Sequence, residues 1–468
     1  MIDVTVLGAG PAGLSLATML AETGVAVRII DEAPAPGGQV FRGTERNAGR
    51  PHLTDWLGKD YAKGRDLIMR ARAATDITWH MGTSVWDIRP EDGHCDLGVL
   101  CDGKTEVIRS RIVVLATGAM ERPTPFPGWT LPGVLSIGAA QTLLKDGGLL
   151  PEDGAVLAGQ GPLLYLFAAQ ILDAGVTPGL VLDLSRKWAA PSHLPALARA
   201  ALYAPGMIAK GLRLRNRIAE AGVPHLYGVD GIKAQGSDRV ERVSYRHKGA
   251  WHEVRTSLLL VHDGVIPNTH ISKAAGCAHD WSDTRAAWEP KLDAEGQSDR
   301  NALWILGDAA RIMGADAAIT SGRVMARAIA HALGLPPPDD VLKARADRQT
   351  LARLARLRDF LDRQYPPARA FTDPADDTTI CRCEAITAGE IRALAASGCM
   401  GPNQLRAFCR AGMGPCMGRQ CGTAISGIMA KATGQSIGKT GSFTVRMPLK
   451  PVTIGDLANL GAPSEQLD

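Results

Sequence analysis

Residues 4–7 form a short apolar run, Val4 to Leu7, that breaks at Gly8-Ala9-Gly10-Pro11-Ala12-Gly13 and gives way to helical spacing from Leu14 to Glu22. A second apolar run, Val25 to Ile30, ends on Asp31-Glu32. Buried strand, glycine turn, helix and second strand predict a βαβ unit. The pattern recurs further on. Arg111 to Leu115 runs apolar into Ala116-Thr117-Gly118, and Ala155 to Ala158 leads through Gly159-Gln160-Gly161-Pro162-Leu163-Leu164 into an apolar helix ending near Ala174. Strand patterns return at Leu180–Leu182, Val240–Tyr245, Ser257–Val261 and Leu303–Leu306, the last followed by Gly307-Asp308 and helical spacing from Ala317 to Leu333. Between 50 and 110 the pattern predicts a helix from Asp60 to Ala73 and short strands at Thr83–Ile88 and Val107–Ile112.

The first turn carries chemistry. Gly8 allows the tight bend, Gly10 leaves room for a pyrophosphate, and Gly13 lets the helix sit close to the strand, with Pro11 and Ala12 completing the turn. The free N–H groups of the helix start then face the phosphates. Asp31 and Glu32 end the second strand, where a carboxylate accepts hydrogen bonds from a ribose. The loop Gly37-Gly38-Gln39 has the backbone freedom to wrap a flavin. Thr117-Gly118 and Gly307-Asp308 end strands at the edge where parallel sheets bind nucleotides, and Asp308 is placed for a ribityl hydroxyl. At the second turn Leu164 stands where a third glycine belongs, and Asp183 is the acid on offer, so NAD(P) occupancy stays open there.

The length predicts about three domains. The balance of 52 basic to 48 acidic residues, net +4, argues for no nucleic-acid partner. A basic helical stretch from Ser185 to Gly222 reads first as a solvated face. No apolar run is long enough to span a bilayer and no signal peptide is evident, so a cytoplasmic protein is expected, with peripheral membrane contact left open. Pro336-Pro337-Pro338 marks a boundary, and Leu351, Leu354, Leu357 and Leu361 then fall at helical spacing in an amphipathic helix that packs on its own chain or on another subunit.

Six of the nine cysteines lie between 381 and 421. Cys381-Arg382-Cys383 and Cys416 to Cys421 form two close pairs, the four thiolates that a 2Fe-2S cluster requires. Zinc is the rival, but its four-cysteine sites favour Cys-x-x-Cys pairs, and neither pair has that spacing. Cys399 and Cys409 read as small buried residues. Thr387 and Glu390 carry a capping-box signature, and a further apolar stretch runs from Ala424 to Ala430.

These motifs, with Gly264-Val265-Ile266-Pro267-Asn268-Thr269, resemble the two-dinucleotide-domain flavoproteins related to thioredoxin reductase. The central domain holds only Cys277, so the redox-active cysteine pair of disulfide reductases is missing. The cysteine segment looks like a bacterioferritin-associated-ferredoxin-type 2Fe-2S domain. With it, nearly the whole chain is similar to the alpha (A) subunits of opine oxidases, hydrogen cyanide synthase and dye-linked proline or hydroxyproline dehydrogenases, and more distantly to part of the sarcosine oxidase alpha subunit. The resemblance implies an α/β fold of two Rossmann-like domains and a small helical cluster domain. Its expected parts are an FAD domain over 1–120 and 300–335, a second dinucleotide-fold domain over 121–299 with a helical insertion near 185–222, a linker over 336–375, the cluster domain over 376–450 and a tail over 451–468.

It also implies FAD on Gly8, Gly10, Gly13, Asp31, Gly38 and Asp308, a cluster on Cys381, Cys383, Cys416 and Cys421, and a heteromer. A D-amino-acid-oxidase-like FAD subunit would oxidise the C–N bond, a small ferredoxin-like 2Fe-2S subunit would complete the assembly, and an FMN at a subunit interface is left open. The chain would relay electrons from the partner flavin. The alternatives are a stand-alone NAD(P)H-dependent flavoprotein reductase and a non-catalytic scaffold. No acid–base or nucleophilic constellation emerges, and His52, His225, His262 and His270 read as structural, so no catalytic side chain is assigned.

Overall fold

The computed structural model describes residues 2–458 and 460. Strands Ile2–Leu7 and Val27–Asp31 run parallel, joined by the helix Pro11–Ala21. Ile77–Met81 extends the sheet beyond Val27–Asp31, and on the other side come Lys104–Leu115 and Leu303–Ile305. Lys104–Leu115 pairs in two directions. Its end lies in the parallel layer, Val113 opposite Leu303, while its start pairs antiparallel with His94–Cys101, which in turn pairs with Ser84–Glu91. The sequence pattern missed His94–Cys101, because Asp96 and Gly98 are poor strand formers in isolation. A neighbouring strand rescues it: Arg109 holds Asp96 through two hydrogen bonds of 2.7 and 2.9 Å.

The first helix is buried along its whole length. One side meets the sheet and the other meets the helix Ala315–Ala332, where a Cβ at Gly322 would stand 2.6 Å from the Ala12 carbonyl oxygen. Ser15 Oγ donates to the Ile319 carbonyl across the same contact at 2.8 Å.

The second unit has five parallel strands in the order His225–Tyr227, Leu180–Asp183, Val156–Gln160, Leu259–Asp263 and Val134–Ser136. An antiparallel pair, Ala119–Glu121 with Val265–Pro267, joins it to the first unit. The basic stretch forms the helices Leu194–Tyr203 and Pro205–Glu220. Most of its cations are engaged locally: Lys210 pairs with Asp60, Arg217 with Asp173, and the Arg215 guanidinium lies 5.1 Å from the Tyr227 ring.

The amphipathic helix is longer than the leucine spacing indicates, Val341–Gln364, because Asp340 caps it by accepting the Lys343 N–H at 2.9 Å. It packs on its own chain, with Leu357 and Phe360 against Ala196 and Ala200. The cysteine segment folds as a hairpin, Thr379–Cys381 with Ile386–Thr387, and three helices, Ala388–Ala396, Pro402–Cys409 and Gly422–Thr433. The Thr387/Glu390 capping box is present. After Phe443 the chain leaves this module: Leu449 joins the core of the first unit and its N–H donates to the Trp86 carbonyl at 2.7 Å. Of the expected tail, residues 459 and 461–468 lie outside the described residues. Among the described residues no helix is long and apolar enough to cross a membrane.

Candidate functional site

The first glycine turn, the Gly37-Gly38 loop, the end of Lys104–Leu115 and Gly307 converge on one cradle whose walls are backbone. A Cβ at Gly8, where φ is +117°, would stand 2.4 Å from the Ala116 carbonyl oxygen, and one at Gly13 would stand 2.0 Å from the Gly8 carbonyl oxygen. A Cβ at Gly38 would meet the Gly10 Cα at 2.8 Å, and one at Gly307 the Ala12 Cβ at 2.8 Å. The helix Pro11–Ala21 starts with no side-chain cap, so its first N–H groups are left for a ligand.

Two carboxylates face this cradle. Asp31 accepts the Ala9 N–H of the turn at 2.7 Å through one oxygen and the Ala33 N–H at 2.8 Å through the other. Asp308 accepts the Met313 and Gly314 N–H groups through Oδ1 alone, at 2.7 and 3.1 Å. Burial pushes its carboxyl upward against those bonds. Glu32 is turned elsewhere, paired with Lys450 and accepting from Ser84 Oγ at 3.1 Å. The Gln39 carbonyl accepts from Lys145 Nζ at 2.9 Å, and the Gly118 carbonyl from the Asn268 N–H at 3.0 Å. Thr117 Oγ1 donates to the Asn268 carbonyl at 3.3 Å. The loops of the cradle are thus tied to the second unit.

The second glycine turn is built differently. A Cβ at Gly159 would stand 1.7 Å from the His262 carbonyl oxygen, so the bend is as tight as the first, while Leu164 is fully buried in the core beneath. Asp183, the expected acid, is enclosed and engaged with Ser185, Tyr165 and His225. The chain itself lies across the turn. Gln160 Nε2 donates to Asp263 Oδ1 at 2.8 Å and to the Pro366 carbonyl, and Asp263 accepts the Ala368 N–H. Tyr365 stacks edgewise on Tyr165, and Phe371 is buried beside Phe126. Residues 365–371 therefore cover the carboxyl ends of two strands, the edge at which a dinucleotide would lie.

Burial pushes the Asp263 carboxyl up to about 6. The folded chain holds this proton where the unfolded chain has released it. Stability therefore falls as pH rises from about 4 to about 6, by about 3 kcal/mol at most, and the whole cost is present above that window. Urea midpoints of the wild type and Asp263→Asn will diverge across this window, the wild type losing ground as pH rises, and parallel profiles would show that Asp263 does not hold the proton.

In the cysteine module Cys383 Sγ and Cys416 Sγ stand 3.7 Å apart. That is close to the edge, about 3.8 Å, of a tetrahedron with bonds of about 2.3 Å to sulfur. Cys381 pairs with Cys421. The Cys421 thiol, helped by the N–H groups of Gly412, Glu384 and Cys383, draws the Cys381 thiol down to about 5, while Cys381 pushes Cys421 up. Among the described residues no three His, Cys, Asp or Glu side chains converge on a single point. Cys399 is buried in the module core and Cys409 packs at its edge.

The sequence missed the strap over the second turn and Lys450 beside Glu32. Neither has a local signal, since each is made by chain far away in sequence.

The pyridine nucleotide-disulphide oxidoreductase family profile matches residues 2–187 and the sarcosine oxidase A3 domain profile matches residues 377–460. The chain is 41% identical to the opine oxidase A subunit of Rhizobium meliloti (strain 1021), covering 98% of this chain and 99% of that one. It is 31% identical to the HcnB subunit of hydrogen cyanide synthase from Pseudomonas protegens, covering 96% of each. Against the sarcosine oxidase alpha subunit of Rhizobium meliloti (strain 1021) identity is 25%, over 97% of this chain and 42% of that one. In fold it is similar to L-proline dehydrogenase from P. horikoshii, with a TM-score of 0.69 and 19% identity over 97% of this chain and 79% of that one. Thioredoxin reductase from T. acidophilum matches 71% of this chain and 98% of its own, with a TM-score of 0.53 and 18% identity.

Proposed function

Because the chain belongs to the family of opine oxidase A subunits, we propose that it is the electron-relaying subunit of a heteromeric, flavin-dependent dehydrogenase of amino or imino acids. The observation that carries this is the combination of a nucleotide cradle and two thiol pairs in a chain whose second dinucleotide turn is covered by its own residues 365–371. The chain is an oxidoreductase component acting on CH–NH donors, as the names of its relatives support. That those relatives are named as subunits supports a partner that carries the amine-oxidising site.

FAD fits the first cradle. The Gly8–Gly13 turn and the uncapped helix would hold its pyrophosphate, Asp31 its ribose and Asp308 Oδ2 a ribityl hydroxyl, with Gly37 and Gly38 close over it. Four cysteines in two close sequence pairs, neither with the Cys-x-x-Cys spacing of zinc sites, support a 2Fe-2S cluster over a single zinc ion. A flavin accepts two electrons and releases them singly, and the cluster carries one at a time. In this scheme the flavin subunit resembling D-amino-acid oxidase would feed electrons to the chain, and a small ferredoxin-like subunit would complete the complex.

The covered second turn speaks against the NAD(P)H-dependent reductase. With Asp183 enclosed and Gln160 held by Pro366, neither the ribose acid nor the glycine edge is free. NADH added to the purified flavin-loaded chain without air will leave its visible spectrum unchanged, whereas the co-expressed complex is bleached by its amine substrate. Rapid bleaching of the lone chain by NADH would overturn the relay assignment.

A further inference from the structure

Between the joint of the two dinucleotide-fold units and the cysteine module lies a cavity lined from both sides. His270 and Lys273 reach it from the short helix His270–Ala274, and Trp288 from the adjoining hairpin. Arg419 and Thr423 reach it from the loop and helix that follow Cys416. No aspartate or glutamate lines it.

The basic groups are unsatisfied there. The Lys273 ammonium lies 5.0 Å from the Trp288 ring, and among the described residues it has no carboxylate partner. His270 Nε2 is buried with no hydrogen-bond partner. Arg419 uses Nε on the Cys416 carbonyl at 3.1 Å, leaving its terminal nitrogens. The helix Gly422–Thr433 opens at the same place with no side-chain cap, adding the positive end of its dipole. Burial pushes Lys273 down to about 8, and burial together with Arg419 and Lys273 holds His270 down to about 4. Half-buried cations with no carboxylate partner are stabilised by an anion that joins them.

Size and hydrogen bonding narrow the ligand. The cavity offers about 60 Å³ to water-sized molecules, room for about four waters at roughly 15 Å³ each, which admits a small oxyanion. A neutral imidazole needs a partner for Nε2 in either tautomer. Hydrogen phosphate supplies both, accepting an N–H through P–O or donating P–O–H to the lone pair.

We propose that this cavity binds free inorganic phosphate, held by Lys273, Arg419 and His270, and that the bound anion ties the cysteine module to the dinucleotide-fold units. The proposal does not depend on the relay function. Titration of the full, flavin-loaded chain with inorganic phosphate, against sodium chloride at matched ionic strength, will raise the melting temperature saturably. Loading the flavin first keeps the first cradle from competing. Lys273→Met and Arg419→Gln each weaken apparent binding at least tenfold, Lys273→Arg stays within about threefold, and Lys291→Met, an exposed lysine paired with Asp280, leaves it unchanged. Without phosphate Lys273→Met melts no lower than the wild type, because it removes an unpartnered cation. Absence of a saturable phosphate effect, or equal binding by Lys273→Met, would overturn the proposal.

Discussion

Gly13→Val will yield a chain that retains no flavin. Even the first added carbon would stand 2.0 Å from the Gly8 carbonyl oxygen, 3.1 Å from Val6 Cγ1 and 3.3 Å from Ala116 Cβ. Val6 lies in a strand on which the helix rests and Ala116 directly follows another, so relief requires the helix Pro11–Ala21 to lift from the sheet. That same movement withdraws the uncapped N–H groups from the phosphates. Overpacking of this kind costs about 3 kcal/mol, at the upper end of what cores tolerate, and the whole domain is at risk. Asp308→Asn separates binding from folding. The asparagine Oδ1 still accepts the Met313 and Gly314 N–H groups, while the second oxygen, the one available to a ribityl hydroxyl, becomes a donor. Its expected result is a chain that melts like the flavin-free wild type but holds FAD about tenfold less tightly, about 1.4 kcal/mol. The ratio of flavin absorbance to protein after gel filtration reads both variants. Full occupancy in Gly13→Val, or an unchanged FAD affinity in Asp308→Asn, would show that the first cradle is not the flavin site.

The second large effect is on metal. Cys383→Ser and Cys416→Ser are expected to reduce iron from two atoms per chain to nearly none and to abolish the visible absorption of the cluster, with the dinucleotide-fold units still folded. These two positions suit the test because neither is fully buried, whereas Cys381 and Cys421 help fill the module core, where serine would also cost packing. If the site were a single zinc ion, all four cysteines would have to converge on one point. The spacing of the two close sequence pairs, neither of them Cys-x-x-Cys, predicts iron by elemental analysis and a metal count of two. One zinc per chain would contradict the cluster assignment directly.

Much of the first cradle was legible in the sequence because its constraints are steric and local. Glycine at 8, 13 and 38 is required by backbone contacts that no side chain survives, and such positions announce themselves. The capping box at Thr387 and Glu390 was legible for the same reason, its partners being three residues apart. What escaped is long-range. Gln160 meets Pro366 across 206 residues, so nothing near Gly159 signals that the turn is covered. Leu164 and Asp183 hinted at a departure, but only the structure shows both enclosed. Likewise the cluster domain is expected to run to 450, although Leu449 packs with the first unit and Lys450 pairs with Glu32. The phosphate cavity is of this kind too, since His270 and Arg419 come together only when the module folds back on the joint.

The most direct test of the relay function is to reduce the anaerobic, co-expressed complex with its amine substrate and follow flavin absorbance and the electron paramagnetic resonance signal of a reduced 2Fe-2S cluster together. An electron relay predicts that the flavin bleaches and the cluster signal appears in the same preparation, and that Cys416→Ser keeps the bleaching while losing the signal. Flavin bleaching with no cluster signal in the wild-type complex, or a signal that survives Cys416→Ser undiminished, would contradict it.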